Sequence, residues 1–264
     1  AITESNASAN NQIESFKLIA VLHTAPQWAR APHSPPAAPP LKVGDFGNFA
    51  RTFAERYGQQ LDHYQIWHEP NLSANWGHAF VDPPAYANLL REATLNIRNV
   101  DAQALILSAA LAPTRENGPL NLNEMEFLKH LYLIKANRWF DIVAGQPYGF
   151  DFSPSDPAKA GTLNFKRLEL LRQVMLNYED AGTPIWATAF GWNALSLDWS
   201  GRPSPWRDDQ DRYDPPEIQA QRTAEAIEQA RQTWPWLGPM LAVRWDNTGL
   251  DLADPGRGFA LSET

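Results

Sequence analysis

LIAVLHT (Leu18–Thr24) and YQIWHE (Tyr64–Glu69), with the helix-spaced stretch Phe46–Tyr57 between them, read as strand, helix, strand. The first run is almost continuously apolar, and the second carries Tyr64, Ile66 and Trp67. That suits a parallel strand covered on two faces better than an antiparallel strand with one wet face. The same unit then repeats about every 40 residues. Further strands are expected at Leu105–Ala110 (LILSAA), Asp141–Gln146 (DIVAGQ), Pro184–Phe190 (PIWATAF) and Met240–Trp245 (MLAVRW). Helices are expected at Pro84–Asn99, Leu122–Asn137, Asn164–Glu179 and Pro216–Thr233, two of them opening with proline, which the first turn tolerates.

This alternation predicts an α/β fold with right-handed crossovers, either a (β/α)8 TIM-type barrel or an open doubly wound sheet. No Gly-rich phosphate loop follows the first strand, which favours the barrel. The pattern holds six strands where a closed barrel needs eight. The expectation is one barrel domain over residues 1–264 that lacks two N-terminal βα units. Those units are absent from this sequence, lost, or supplied by another chain. The loops Arg30–Asp45, Pro147–Thr162 and Asn193–Pro215 are long, and all follow strands, where barrel enzymes build their sites.

Composition narrows the function. The 264 residues carry 22 Lys plus Arg against 30 Asp plus Glu, a net charge of −8, which argues against nucleic acid or an anionic membrane as partner. No cysteine is present, so disulfides, thiolate metal sites and cysteine nucleophiles are excluded. His23, His63, His68 and His78 form no compact ligand set, and neither a metal nor a cofactor is expected. No run of about 18 apolar residues occurs. The polar start lacks a signal-peptide core, and location stays open, with an extracytoplasmic one favoured. Tryptophan is abundant, 11 residues, and aromatic faces at a cleft stack well on sugars.

At Ile66-Trp67-His68-Glu69-Pro70-Asn71 the sequence resembles clan A glycoside hydrolases, nearest to family 39, whose fourth strand ends in W-N-E-P-N. Pro26-Gln27-Trp28-Ala29 resembles the family's P-x-W-A segment. Asp141–Gly149 resembles its D-x-x-x-x-H-P-Y-G segment, and Pro184–Trp192 its P-I-W-x-T-E-F-G-W strand. Trp245-Asp246 fits the last strand. The ordered set runs from Leu18 to about Gly258.

The resemblance implies a retaining glycosidase barrel with Glu69 as general acid/base and an oligo- or polysaccharide as partner. It places Ala189 at the nucleophile, His68 at the preceding Asn and Gln146 at the family's His. Retaining hydrolysis needs two carboxyl groups about 5–5.5 Å apart, and alanine supplies none. Ala189 alone would also fit an engineered trap for substrate, but three departures around one site favour drift toward a lost or altered activity. An inverting route would need a second carboxylate about 6.5–9.5 Å from Glu69, and Asp246 or Asp151 are the candidates. Asp198, Asp208, Asp209 and Asp211 are expected as solvated charges of a loop.

By the same resemblance, Trp28, Trp192 and Trp245 would line sugar subsites, with Tyr148 beside them. Trp67 and Trp186 suit the barrel interior. Three functions remain open at this point: a nucleophile-deficient glycosidase, a non-catalytic carbohydrate-binding barrel, and a structural domain with a vestigial cleft.

Overall fold

A computed structural model describes residues 17–196, 198–206 and 215–262. Strands and helices alternate along the described chain: β1 (Ile19–Leu22), α1 (Val43–Tyr57), β2 (His63–Ile66), α2 (Pro83–Arg98), β3 (Leu105–Leu107), α3 (Glu124–Leu133), β4 (Val143–Gly145), α4 (Leu168–Asn177), β5 (Ile185–Phe190), α5 (Pro216–Thr233) and β6 (Leu237–Ala242). Asp82 caps α2 by accepting from Ala85 N at 2.9 Å, with Pro83 and Pro84 in the first turn.

All strand pairs are parallel, and each strand pairs with its neighbours in chain order, as β1-β2-β3 and β4-β5-β6. Parallel bridges Leu107↔Ile142 and Leu111↔Gly145 join the two triplets. Each crossover carries a helix because parallel neighbours cannot be joined by a tight turn.

The two faces of the sheet carry different cores. On one face Leu22, Tyr64, Ile66, Ile106, Val143 and Ile185 pack in a cluster with helix residues such as Phe46, Leu90, Phe127 and Leu171. On the other face Leu107, Ala110, Ile142 and Ala144 form a smaller cluster that Ile19 of β1 and Trp186 of β5 join. The His63 ring of β2 lies 4.8 Å from the Trp186 ring of β5. In a flat sheet, strands three places apart are roughly 14 Å apart. The inner face is therefore concave, and Trp186 fills the hollow, lying over Gly238 of β6 where a Cβ would come within 2.3 Å of its indole nitrogen.

The outer strands depart from the expectation of full cover. Leu18 is 55% and Val21 49% exposed at β1, which among the described residues pairs only with β2. No residue of β6 is fully buried. An apolar run marks a parallel strand, but only neighbours on both sides bury it. β6 also begins three residues earlier than its apolar run suggests. The stacked Trp234 and Trp236 close α5, and Ile185 N already bonds to Trp236 O at 3.2 Å, so pairing starts at Leu237.

A buried ion pair braces the rim above β3 and β4. Arg167 and Glu124 side chains are each 3% exposed and hydrogen-bonded to each other. Arg167 also donates to Thr114 O at 2.9 Å and Ala160 O at 2.5 Å, while Glu124 accepts from Thr114 N at 3.1 Å. Such a pair is tolerable in the interior because its remaining hydrogen-bonding capacity is met by the loops it ties together.

Candidate active site

The chain leaves β2 through a strained turn. Trp67 (φ 71°) and Glu69 (φ 46°) both occupy the left-handed region, which disfavours residues with a side chain. Hydrogen bonds hold them there: Trp67 N to Leu22 O at 2.9 Å and Glu69 N to Ala110 O at 2.8 Å. Asn71, wholly buried, accepts from Ala112 N at 2.9 Å and donates to Ala112 O at 2.8 Å and Leu122 O at 3.0 Å. Trp67 turns into the helix-side core against Phe46 and Trp76, rather than into the hollow that Trp186 fills.

Glu69 then stands at the rim with a side chain only 18% exposed. Its Oε2 accepts from Asn75 Nδ2 at 2.8 Å, and its Oε1 lies 3.6 Å from His68 Nε2. The Gln146 amide, from the exit of β4, lies close enough to favour the charged form of this carboxyl. Burial pushes the carboxyl above its ordinary value, against the opposing pull of His68 and the two amides. Tyr148 is close enough for the charge of Glu69 to add to the burial that already raises its phenol. Burial, and then the neighbouring His68, push His23 down to about 4. Its ring sits 4.7 Å from Trp67 and 5.8 Å from His68. The exits of β1, β2 and β4 thus assemble His23, His68, Glu69, Gln146 and Tyr148. Two of their buried atoms, His23 Nδ1 and Gln146 Oε1, have no hydrogen-bond partner among the described residues.

The exit of β5 is built differently. Ala189 packs among Tyr148, Phe150 and Phe259, with Trp206 and Val243 nearby. Alanine brings no hydrogen-bonding group to this apolar wall. Trp192 corrects a prediction: it is 0% exposed and offers no face to a sugar. Its indole donates to Phe152 O at 2.7 Å, and its ring covers Gly149 so closely that a Cβ there would lie 1.8 Å from it. A core tryptophan and a cleft tryptophan look alike in sequence, because burial is decided by what packs over the ring.

The remaining candidates lie around this centre. Trp28 is 76% exposed and lines a cleft of about 360 Å³ with His23, Pro26, Phe46 and Phe49. Trp245 is 70% exposed in the segment after β6. Asp246 accepts from Thr248 N at 2.9 Å, which caps its own turn and holds its carboxyl low. Asp151 lines a second cleft of about 360 Å³ with Arg115, Phe150 and Phe152. Asp198 is bonded to Ser196. Asp208, Asp209 and Asp211 lie outside the described residues. Among the described residues no group of three His, Asp or Glu could hold a metal ion, and no helix is long and apolar enough to cross a membrane. Asn75 was not legible in the sequence. Its only signal is that it lies six residues after Glu69, and the intervening turn is what brings it back.

No family model matches the chain, and no curated protein matches it. Solved structures do. A family 39 glycoside hydrolase from the gut symbiont Bacteroides cellulosilyticus WH2 superposes with TM-score 0.65 at 17% identity, covering 93% of this chain and 46% of that one. A glucosidase from Croceicoccus marinus gives 0.61 at 12% identity, covering 86% and 43%. A monomeric beta-xylosidase from Caulobacter crescentus CB15 gives 0.52 at 18% identity, covering 85% and 44%. The chain has the fold of family 39 and related glycoside hydrolases, and it spans less than half the length of these structures.

Proposed function

We propose that residues 1–264 form one domain whose six strands are an arc of a (β/α)8 barrel, and that its rim binds a carbohydrate. Glu69 would donate a proton to the glycosidic oxygen. The observation that carries this is the Glu69 carboxyl, buried, pushed toward its neutral form and held by the Asn75 amide at a strand exit. A carboxyl whose burial favours its neutral form is suited to carry the proton that a general acid donates. His68, Gln146 and Tyr148 would contact the sugar, and Trp28 and Trp245 offer exposed rings to stack on it.

Hydrolysis with retention needs a second carboxylate to capture the sugar as the bond breaks. Ala189 offers none, and its apolar neighbours do not replace it. Asp246 is engaged in its own turn, which weakens it as the base of an inverting route. The chain is therefore expected to bind oligosaccharide with hydrolysis absent or impaired, as a non-catalytic relative of the hydrolases that share its fold. Calorimetry against an oligosaccharide panel tests this. Saturable binding that Trp28→Ala weakens is the expected result, and Ala189→Glu is expected to yield measurable cleavage of an aryl glycoside. No binding across the panel by the intact chain, together with no gain from Ala189→Glu, would leave only a structural domain with a vestigial cleft.

A further inference from the structure

We infer that Asn75 is the positioning residue of Glu69: it holds one carboxyl oxygen, so that the transferable proton sits on the other, facing His68. The inference deepens the proton-donor reading of Glu69 and rests on it for its functional meaning.

The geometry is asymmetric. Asn75 Nδ2 donates to Glu69 Oε2 at 2.8 Å, while Oε1 lies 3.6 Å from His68 Nε2. An amide NH2 is a donor only, so the oxygen it meets must present a lone pair. A proton on Oε2 would point at another hydrogen. The neutral carboxyl is thus directed to carry its proton on Oε1. The same bond limits rotation of the carboxyl plane, which fixes the direction in which Oε1 faces.

Asn75 is itself held in place. It closes a short 3-10 turn, Ser73–Asn75, with its N–H on Leu72 O at 3.0 Å. Its carbonyl accepts from the Trp67 indole at 3.0 Å. Trp67 is fully buried, so the residue two places before the carboxylate anchors the residue six places after it. The groups around the carboxyl come from two strand exits, His68 after β2 and Gln146 and Tyr148 after β4, and His23 after β1 packs behind His68. Asn75 is bonded to the side chain by one route and to the strand exit by another.

The test is a carbon-13 NMR titration of the Glu69 carboxyl in the full chain, assigned with Glu69→Gln. The Trp67 indole N–H signal serves as the control for the turn, because its partner is the main chain of residue 75. Asn75→Ala removes a hydrogen bond that favours the charged form. The Glu69 midpoint is expected to rise by about one pH unit with the indole signal retained. Asn75→Asp keeps the shape but places a second acid on Oε2, and the pair is expected to titrate in two separated steps. An unchanged midpoint in Asn75→Ala with the indole signal in place would overturn the inference. If that variant loses the turn, a single step at the wild-type midpoint in Asn75→Asp would overturn it instead. A wild-type Glu69 midpoint in the ordinary carboxylate range would sink the proton-donor reading, and the difference between variants would still decide the role of Asn75.

Discussion

The exits of β2 and β5 form the two sides of one rim and are built on opposite principles. At β2 the chain accepts two left-handed residues and a buried carboxyl, and amides and a histidine stabilise them. At β5 the backbone leads into an aromatic wall, with Trp192 beneath it and Ala189 within it. A polar group buried in a low-dielectric site is tolerated only while partnered, whereas an apolar wall only has to fit. One side is therefore held by polar partners, and the other by close packing.

The largest expected effect lies on the packed side. Trp192→Ala deletes a wholly buried ring that covers Gly149 and donates to Phe152 O. A loss of about 3–5 kcal/mol in urea unfolding is expected, as for other large-to-small changes in cores. A loss below about 1 kcal/mol would mean that the β5 exit is not the packed half.

The next effect is a pH dependence on the polar side, in which two groups act with opposite sign. Glu69 is raised above 4.5 in the folded chain, so the native state holds its proton longer than the unfolded one. Its contribution is complete at acid pH and is lost as pH rises from 4.5 through the folded value. His23 is lowered from 6.5 to about 4, so its contribution is present above 6.5 and is lost as pH falls through 4. Stability measured across pH should therefore flatten between 4 and 6.5 in His23→Gln, and above 4.5 in Glu69→Gln. Parallel curves for wild type and both variants would remove the electrostatic half of the contrast.

The smallest stability effect is expected at Trp28, whose ring is 76% exposed. Trp28→Ala should change unfolding free energy by no more than about 0.5 kcal/mol. Its larger consequence should appear in oligosaccharide binding, which separates a cleft tryptophan from the buried one.

Much of the fold was legible in the chain. The apolar runs at Leu18–Thr24, Tyr64–Glu69 and Pro184–Phe190 each contain an observed strand, and the helix periods locate α1, α2 and α5 within a few residues. The site was legible in part. Glu69, His68, Gln146 and Tyr148 do meet, although they come from two strand exits. His23 joins them from a third, while Asn75 went unseen, because a 3-10 turn and a reversal of φ at Glu69 leave no periodic trace.

By itself the sequence determined the order of the βα units and the parallel sense of the sheet. Periodicity and chain connectivity are local properties, written in neighbouring residues. Tertiary structure alone decided which tryptophan is core and which is cleft, that Val21 of β1 is exposed while no residue of β6 is fully buried, and that Asn75 reaches Glu69. Burial and hydrogen-bond partnership depend on what arrives from elsewhere in the chain, and no short stretch records that.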